Sequence, residues 1–178
     1  MAATLANIKI KPSTVTWGST DLGYLDGEIE VSFDEKTKDI LAHQEGENVL
    51  TAIRTGHGAE VTLTMKESTA AVLKTLLAAA SGSETPASGT EVMGWGSTKD
   101  FTPVTAEALK LVIHPIAMLT DKTEDIFFWK AYPMIKSINL SGDSESLVPV
   151  TFKVFPDLAK LTDVRLGGIG DHTQDLDV

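Results

Sequence analysis

The sequence contains no cysteine. Disulfides and cysteine-ligated zinc are therefore excluded, and nothing points to an oxidising compartment. Basic residues are in the minority: 15 Lys plus Arg stand against 25 Asp plus Glu, a formal net charge of −10. That balance argues against a grip on nucleic acid, whose phosphates are held mainly by clustered Lys and Arg that displace counterions. Long apolar runs are also missing. The longest, "AAVLKTLLAAA", carries Lys74 and is about half the length of a membrane span. The opening "MAATLANIKIKP" lacks the apolar core of a signal peptide. These absences lead to the expectation of a soluble protein made in a cytoplasm.

Catalytic and metal-binding patterns are equally scarce. The four histidines, His43, His57, His114 and His172, show no H-x-x-x-H spacing and read as surface or turn residues. His57, between two glycines, reads as a turn. No G-x-S-x-G elbow and no phosphate-binding G-x-x-x-x-G-K-S/T is found. "GGIGD", at Gly167 to Asp171, lacks a following helix and reads as a C-terminal turn. Asp34 with Glu35, and Asp143 near Glu145, have no EF-hand spacing and read as solvated acidic pairs. The sequence therefore predicts no enzyme, no metal and no cofactor.

What the chain does have is alternation. In "EIEVSFD", Ile29, Val31 and Phe33 point one way, and Glu28, Glu30, Ser32 and Asp34 the other. "AEVTLTMKE" repeats the pattern, with Val61, Leu63 and Met65 inward. Period two marks strands with one wet face, and these two read as partners. Between them, Glu35 to Ala59 is too long for an ordinary hairpin loop. "DILAHQ" and "NVLTAIRT" have strand character around a turn at Glu45-Gly46-Glu47, which predicts a projecting two-stranded arm hinged at Gly56 and Gly58.

An earlier strand is expected over Ile8 to Thr16, followed by turns at Trp17-Gly18 and Asp21-Leu22-Gly23. Ser68 to Ala80 reads as a helix: Leu73, Leu76, Leu77 and Ala80 share a face, Ser68 or Thr69 caps its start and Gly82 its end. Residues 81–100 read as a flexible Gly/Ser/Thr/Pro-rich loop. Further strands follow at "ALKLVIH", at the aromatic run "DIFFWKAYPMIKSINL" and at "SLVPVTFKVFPD". In the last, Pro149 is expected on an edge strand or at a strand start. The acidic tail, about 171–178, is expected to fray. The whole reads as one domain over 1–178, mainly β: a β-sandwich or open barrel with one flanking helix and an extended hairpin arm.

Phe127, Phe128 and Trp129 put bulky apolar groups on both faces of one strand. A ligand stripe is one reading. A core on one side and a subunit contact on the other is the favoured one, since interfaces enrich aromatic residues.

Taken together, "TVTWGSTDLGYLDGEIEVSF", the polar arm "KTKDILAHQEGENVLTAIRTGHG", "AEVTLTMKE", the amphipathic helix and the late "VPVTFKVFPD" resemble the major tail tube protein family of tailed bacteriophages. The likeness runs over roughly residues 7 to 171. It is a pattern of elements, in which Gly58, Val61, Glu67 and Asp157 match loosely patterned family positions. The resemblance implies a virion protein, assembled in the host cytoplasm, whose hexameric rings stack into a hollow tail tube. It implies a tape-measure protein and tail-tip or terminator proteins as partners, DNA passing through without tight binding, and no membrane. On that reading Glu28, Glu30 and Asp34 are candidates to face the lumen. Lys36, Lys38, Asp39, Glu45, Glu47, Arg54 and His57 become candidates for contact with a neighbouring subunit or ring, and Phe127, Phe128 and Trp129 for a subunit interface. Other virion or secretion-tube components, and a monomeric carbohydrate-binding β-sandwich, are the alternatives.

Overall fold

A computed structural model describes residues 12–41, 49–66, 69–81, 83–84, 92–93, 101–139, 141, 145–174 and 177. The strands are β1 (Ser13–Trp17), β2 (Thr20–Asp21), β3 (Leu25–Leu41), β4 (Val49–Met65), β5 (Ser83–Glu84), β6 (Val92–Met93), β7 (Leu109–Pro115), β8 (Ile126–Ile135), β9 (Val148–Phe155) and β10 (Gly167–Ile169). One helix, α1 (Ala70–Ser81), follows β4. The molecule is mainly β. One antiparallel sheet runs β2-β1-β7-β8-β9-β4-β3, with β10 also paired to β8, and β5–β6 form a separate two-stranded ladder.

The alternating segments fold as their pattern dictates. Val31 pairs with Val61 and Phe33 with Ala59 across β3 and β4, so the apolar sets share a face. On β9, Val148, Val150, Phe152 and Val154 are all buried. Pro149 is the second residue of that strand, but β9 is interior, flanked by β8 and β4. Thr69 begins the helix, its Oγ1 accepting from Val72 N–H at 3.4 Å. Leu76 is fully buried in the core, with Val72 and Leu73 packed against it.

The sheet is strongly curled. Trp17 on β1 and Phe152 on β9 lie three strands apart in the sheet order, about 14 Å if the sheet were flat. Their ring centroids are 6.3 Å apart. Trp17 Nε1–H donates to the Ala131 carbonyl of β8 at 2.7 Å, so this one indole ties an outer strand to the middle of the sheet across the core.

Three expectations change. The first strand begins at Ser13, and its predicted portion before Pro12 lies outside the described residues. Within 81–100, read as a flexible loop, Ser81 ends α1 and Ser83–Glu84 pair with Val92–Met93 in a short ladder; residues 82, 85–91 and 94–100 lie outside the described residues. The C-terminal glycines form a strand, β10, whose backbone pairs with Ile126 to Phe128, where a turn was expected.

Candidate functional site

Strands β3 and β4 are 17 residues each, while β9 covers β4 only from Ala59 to Met65. Beyond Phe33 and Ala59 the hairpin therefore continues as a ribbon of two strands. From Phe33 to Leu41, at ~3.3 Å per residue, it projects roughly 26 Å. Lone two-stranded ribbons are marginal in water, so this one calls for a covering surface. His57 lies in strand conformation opposite Glu35, not in a turn. Gly56 directly follows an irregularity between Lys36 and Thr37, where Thr55 is the extra residue on β4, and Gly58 pairs with Asp34 further toward the base.

Cross-strand pairing assigns the two faces of the arm. One carries Phe33, Glu35 and His57, then Thr37 with Arg54, Asp39 with Ala52, and Leu41 with Val49. The other carries Lys36, then Lys38 with Ile53 and Ile40 with Thr51. Phe33 is 74% exposed, and Leu41, Val49, Ile53 and Ile40 are exposed as well, so both faces present apolar groups to solvent. Arg54 Nε contacts Glu35 Oε1 at 2.5 Å on the first face. Glu45 and Glu47 lie outside the described residues.

The acidic candidates separate. Glu30 pairs with Thr62, Ser32 with Glu60 and Asp34 with Gly58, which places Glu30, Glu60 and Asp34 on the outer face at the arm's base. Glu28 departs from them. Between Asp26 and Glu30 the β3 register shifts by two extra residues at Gly27, whose φ is +70°. This bulge brings Glu28 and Ile29 to the wall of an open cleft of about 890 Å³. Ile113 and Ile126 line the same cleft, with Asp21. Strands β2 and β3, the two ends of the sheet order, both contribute to it, through Asp21 and Glu28.

The aromatic run is covered by the chain itself. Phe127 and Phe128 are each 3% exposed. Phe128 belongs to the core cluster. Phe127 and Trp129 form an edge-on pair at 4.9 Å, and Trp129 Nε1–H donates to the Val164 carbonyl at 2.9 Å. The Lys110 and Lys160 ammoniums lie 4.6 and 4.5 Å from the Trp129 ring centroid. Phe127 and Phe128, expected at a subunit contact, are thus covered by the core and by the chain's own C-terminal segment, while Trp129 stays half-buried.

One constellation escaped the sequence reading. Asp125, 1% exposed, accepts from His114 Nδ1 at 2.5 Å through Oδ1 and from His172 Nδ1 at 2.9 Å through Oδ2. His114 Nε2 also lies 2.9 Å from the Leu119 carbonyl, so each of its ring nitrogens has an oxygen neighbour. Leu119 has a positive φ of 54°. Burial and the nearby Lys110 ammonium hold the His172 ring below the usual histidine range, against the pull of Asp125. Lys110 donates to the His172 carbonyl at 2.7 Å, and burial holds its ammonium below the usual lysine range. Two histidines expected at the surface thus meet on a buried carboxylate and clamp the C-terminal segment to β7 and β8. Eleven and 47 residues separate them from Asp125, so no local spacing signals the contact. Asp171, next in chain to His172, is held at about 2 by its hydrogen bonds from the Thr173 hydroxyl and N–H.

Among the described residues no group of three or more His, Asp or Glu is arranged to hold a metal ion. The chain matches no protein-family model and no curated protein.

Proposed function

We propose that this chain is a non-catalytic structural subunit that assembles with copies of itself, and that its assembly is the hollow tube of a bacteriophage tail. The observation that carries the reading is the arm: a ribbon of two strands with apolar side chains exposed on both faces. A monomer gains nothing from holding such a ribbon in water; a lattice of copies gains an interlocking element. The curl of the sheet supports the finer proposal of an open barrel whose outer strands pair with those of neighbours, removing free edges.

In a six-membered ring the formal charge is 6 × −10, about −60. Glu30, Asp34 and Glu60, together on one face, are the carboxylates proposed to line the channel, where they repel phosphates and keep DNA mobile. Glu28, on the lining of the cleft, is left out of this proposed set. A tape-measure protein and tail-tip or terminator proteins are the proposed partners.

The test is negative-stain electron microscopy of the purified protein over a concentration series, with tail-tip components added. Six-fold rings or hollow tubes support the reading. Particles that stay monomeric with those components present overturn it in favour of a monomeric binding module. Deleting residues 38–54 is expected to leave a folded monomer that makes no tubes.

A further inference from the structure

We infer that the arm of one copy seats its lysine-bearing face in the cleft at Glu28 of a second copy. The inference rests on the self-assembly reading and names the contact that the assembly would use. On the arm, Lys36, Lys38, Ile40 and Ile53 share one face. In the cleft, the exposed Ile116 and the half-buried Ile29 and Ile126 form an apolar wall, and Glu28, Asp21 and Glu124 supply carboxylates. Two cations beside two isoleucines thus meet three carboxylates beside three. Apolar contact supplies affinity, and the charges fix register and exclude the wrong face of the arm.

The opposite arm face is a poorer match. Its cation, Arg54, is already engaged by Glu35, and it adds the carboxylate of Asp39. The occupant must also come from another molecule. Ile40 lies nine residues beyond Val31 on one strand, about 30 Å from the cleft of its own chain. The cleft is within the size range of sites that enclose several side chains.

Because the chain has no cysteine, Lys38→Cys and Glu28→Cys variants each carry a single thiol. The two are mixed in equal amounts, allowed to assemble and oxidised. Disulfide-linked peptides are then read by mass spectrometry, with assembly followed in parallel by microscopy. The expected result is a disulfide between position 38 of one copy and position 28 of another that exceeds either self-link. Thr37→Cys, on the other arm face, is expected to give little of it. Assemblies that form without the link between positions 38 and 28, or that link equally through position 37, overturn the inference and leave self-assembly standing. Absence of any association removes both. As a second readout, Lys36→Glu with Lys38→Glu is expected to weaken association about tenfold or more, and Glu28→Lys with Asp21→Lys in the partner to recover part of the loss. No recovery, with both variants folded, counts against the pairing.

Discussion

Asp125→Asn is the sharpest test of how the C-terminal segment is held. The carboxylate only accepts, and both oxygens are used, one by each histidine. An amide of the same shape offers one acceptor and one NH₂. One imidazole N–H must therefore face a donor, or its ring must change tautomer. Hydrogen bonds to charged groups contribute about 1.5–3 kcal/mol each. Asp125 is nearly inaccessible and the histidine side chains are 24% and 18% exposed, so water replaces little of the loss. One bond lost and the other weakened gives an expected destabilisation of about 2–3 kcal/mol.

The assay is urea unfolding followed by tryptophan fluorescence, since Trp129 lies under the same segment. The midpoint should fall with the slope unchanged, because the folded state keeps its compactness. A double-mutant cycle with His172→Ala separates coupling from general damage: the pair should be non-additive by about 1 kcal/mol or more. A loss below about 0.5 kcal/mol, or strict additivity with His172→Ala, would refute the clamp as a source of stability.

Three further outcomes follow from the same geometry. His172 is held below its unfolded value by burial, so the unfolded chain binds more protons below the usual histidine range; stability should fall as pH drops from about 7.5 to 5.5, and His172→Gln should flatten that slope in thermal melts. Trp17→Phe removes the indole donor to the Ala131 carbonyl and leaves a void beside Phe152, a loss of about 2–3 kcal/mol in the same urea assay. Gly167→Ala would set a Cβ 2.0 Å from the Phe127 carbonyl oxygen at φ +155°, whereas Gly170→Ala, at φ +135°, meets open space; calorimetry should show Gly167→Ala as the more damaging by at least about 1 kcal/mol.

The sequence and the structure agree where one face of a strand is packed and the other is wet. Glu30–Asp34, Glu60–Lys66 and Val148–Val154 carry that contrast in every second residue, and their pairing or burial follows. The contrast fades past Phe33, because a ribbon exposed on both faces has no reason to alternate. There the arm is legible only from length, β-propensity and the need for a turn. The Gly27 bulge was not legible, since a glycine within an otherwise alternating strand fixes neither the number of extra residues nor their direction.

Coverage is a different kind of information from periodicity. Phe127, Phe128 and Trp129 announce a strand apolar on both faces, but they do not name what covers the second one. The answer lies some 40 residues on, in two glycines. At Gly167 the backbone passes so close to Phe127 that a side chain has no room, and at Gly168 an added Cβ would stand 3.2 Å from the Phe127 ring. A glycine pair after a late strand reads locally as a turn; here its purpose is close approach. The same strand return carries His172 to Asp125. With the segment from Pro156 to Gln174 on the β8 face, Phe127 and Phe128 are covered from within the chain. The demand for an assembly surface then falls on the arm and on the cleft beside the Gly27 bulge, which carry apolar side chains with charges of opposite sign.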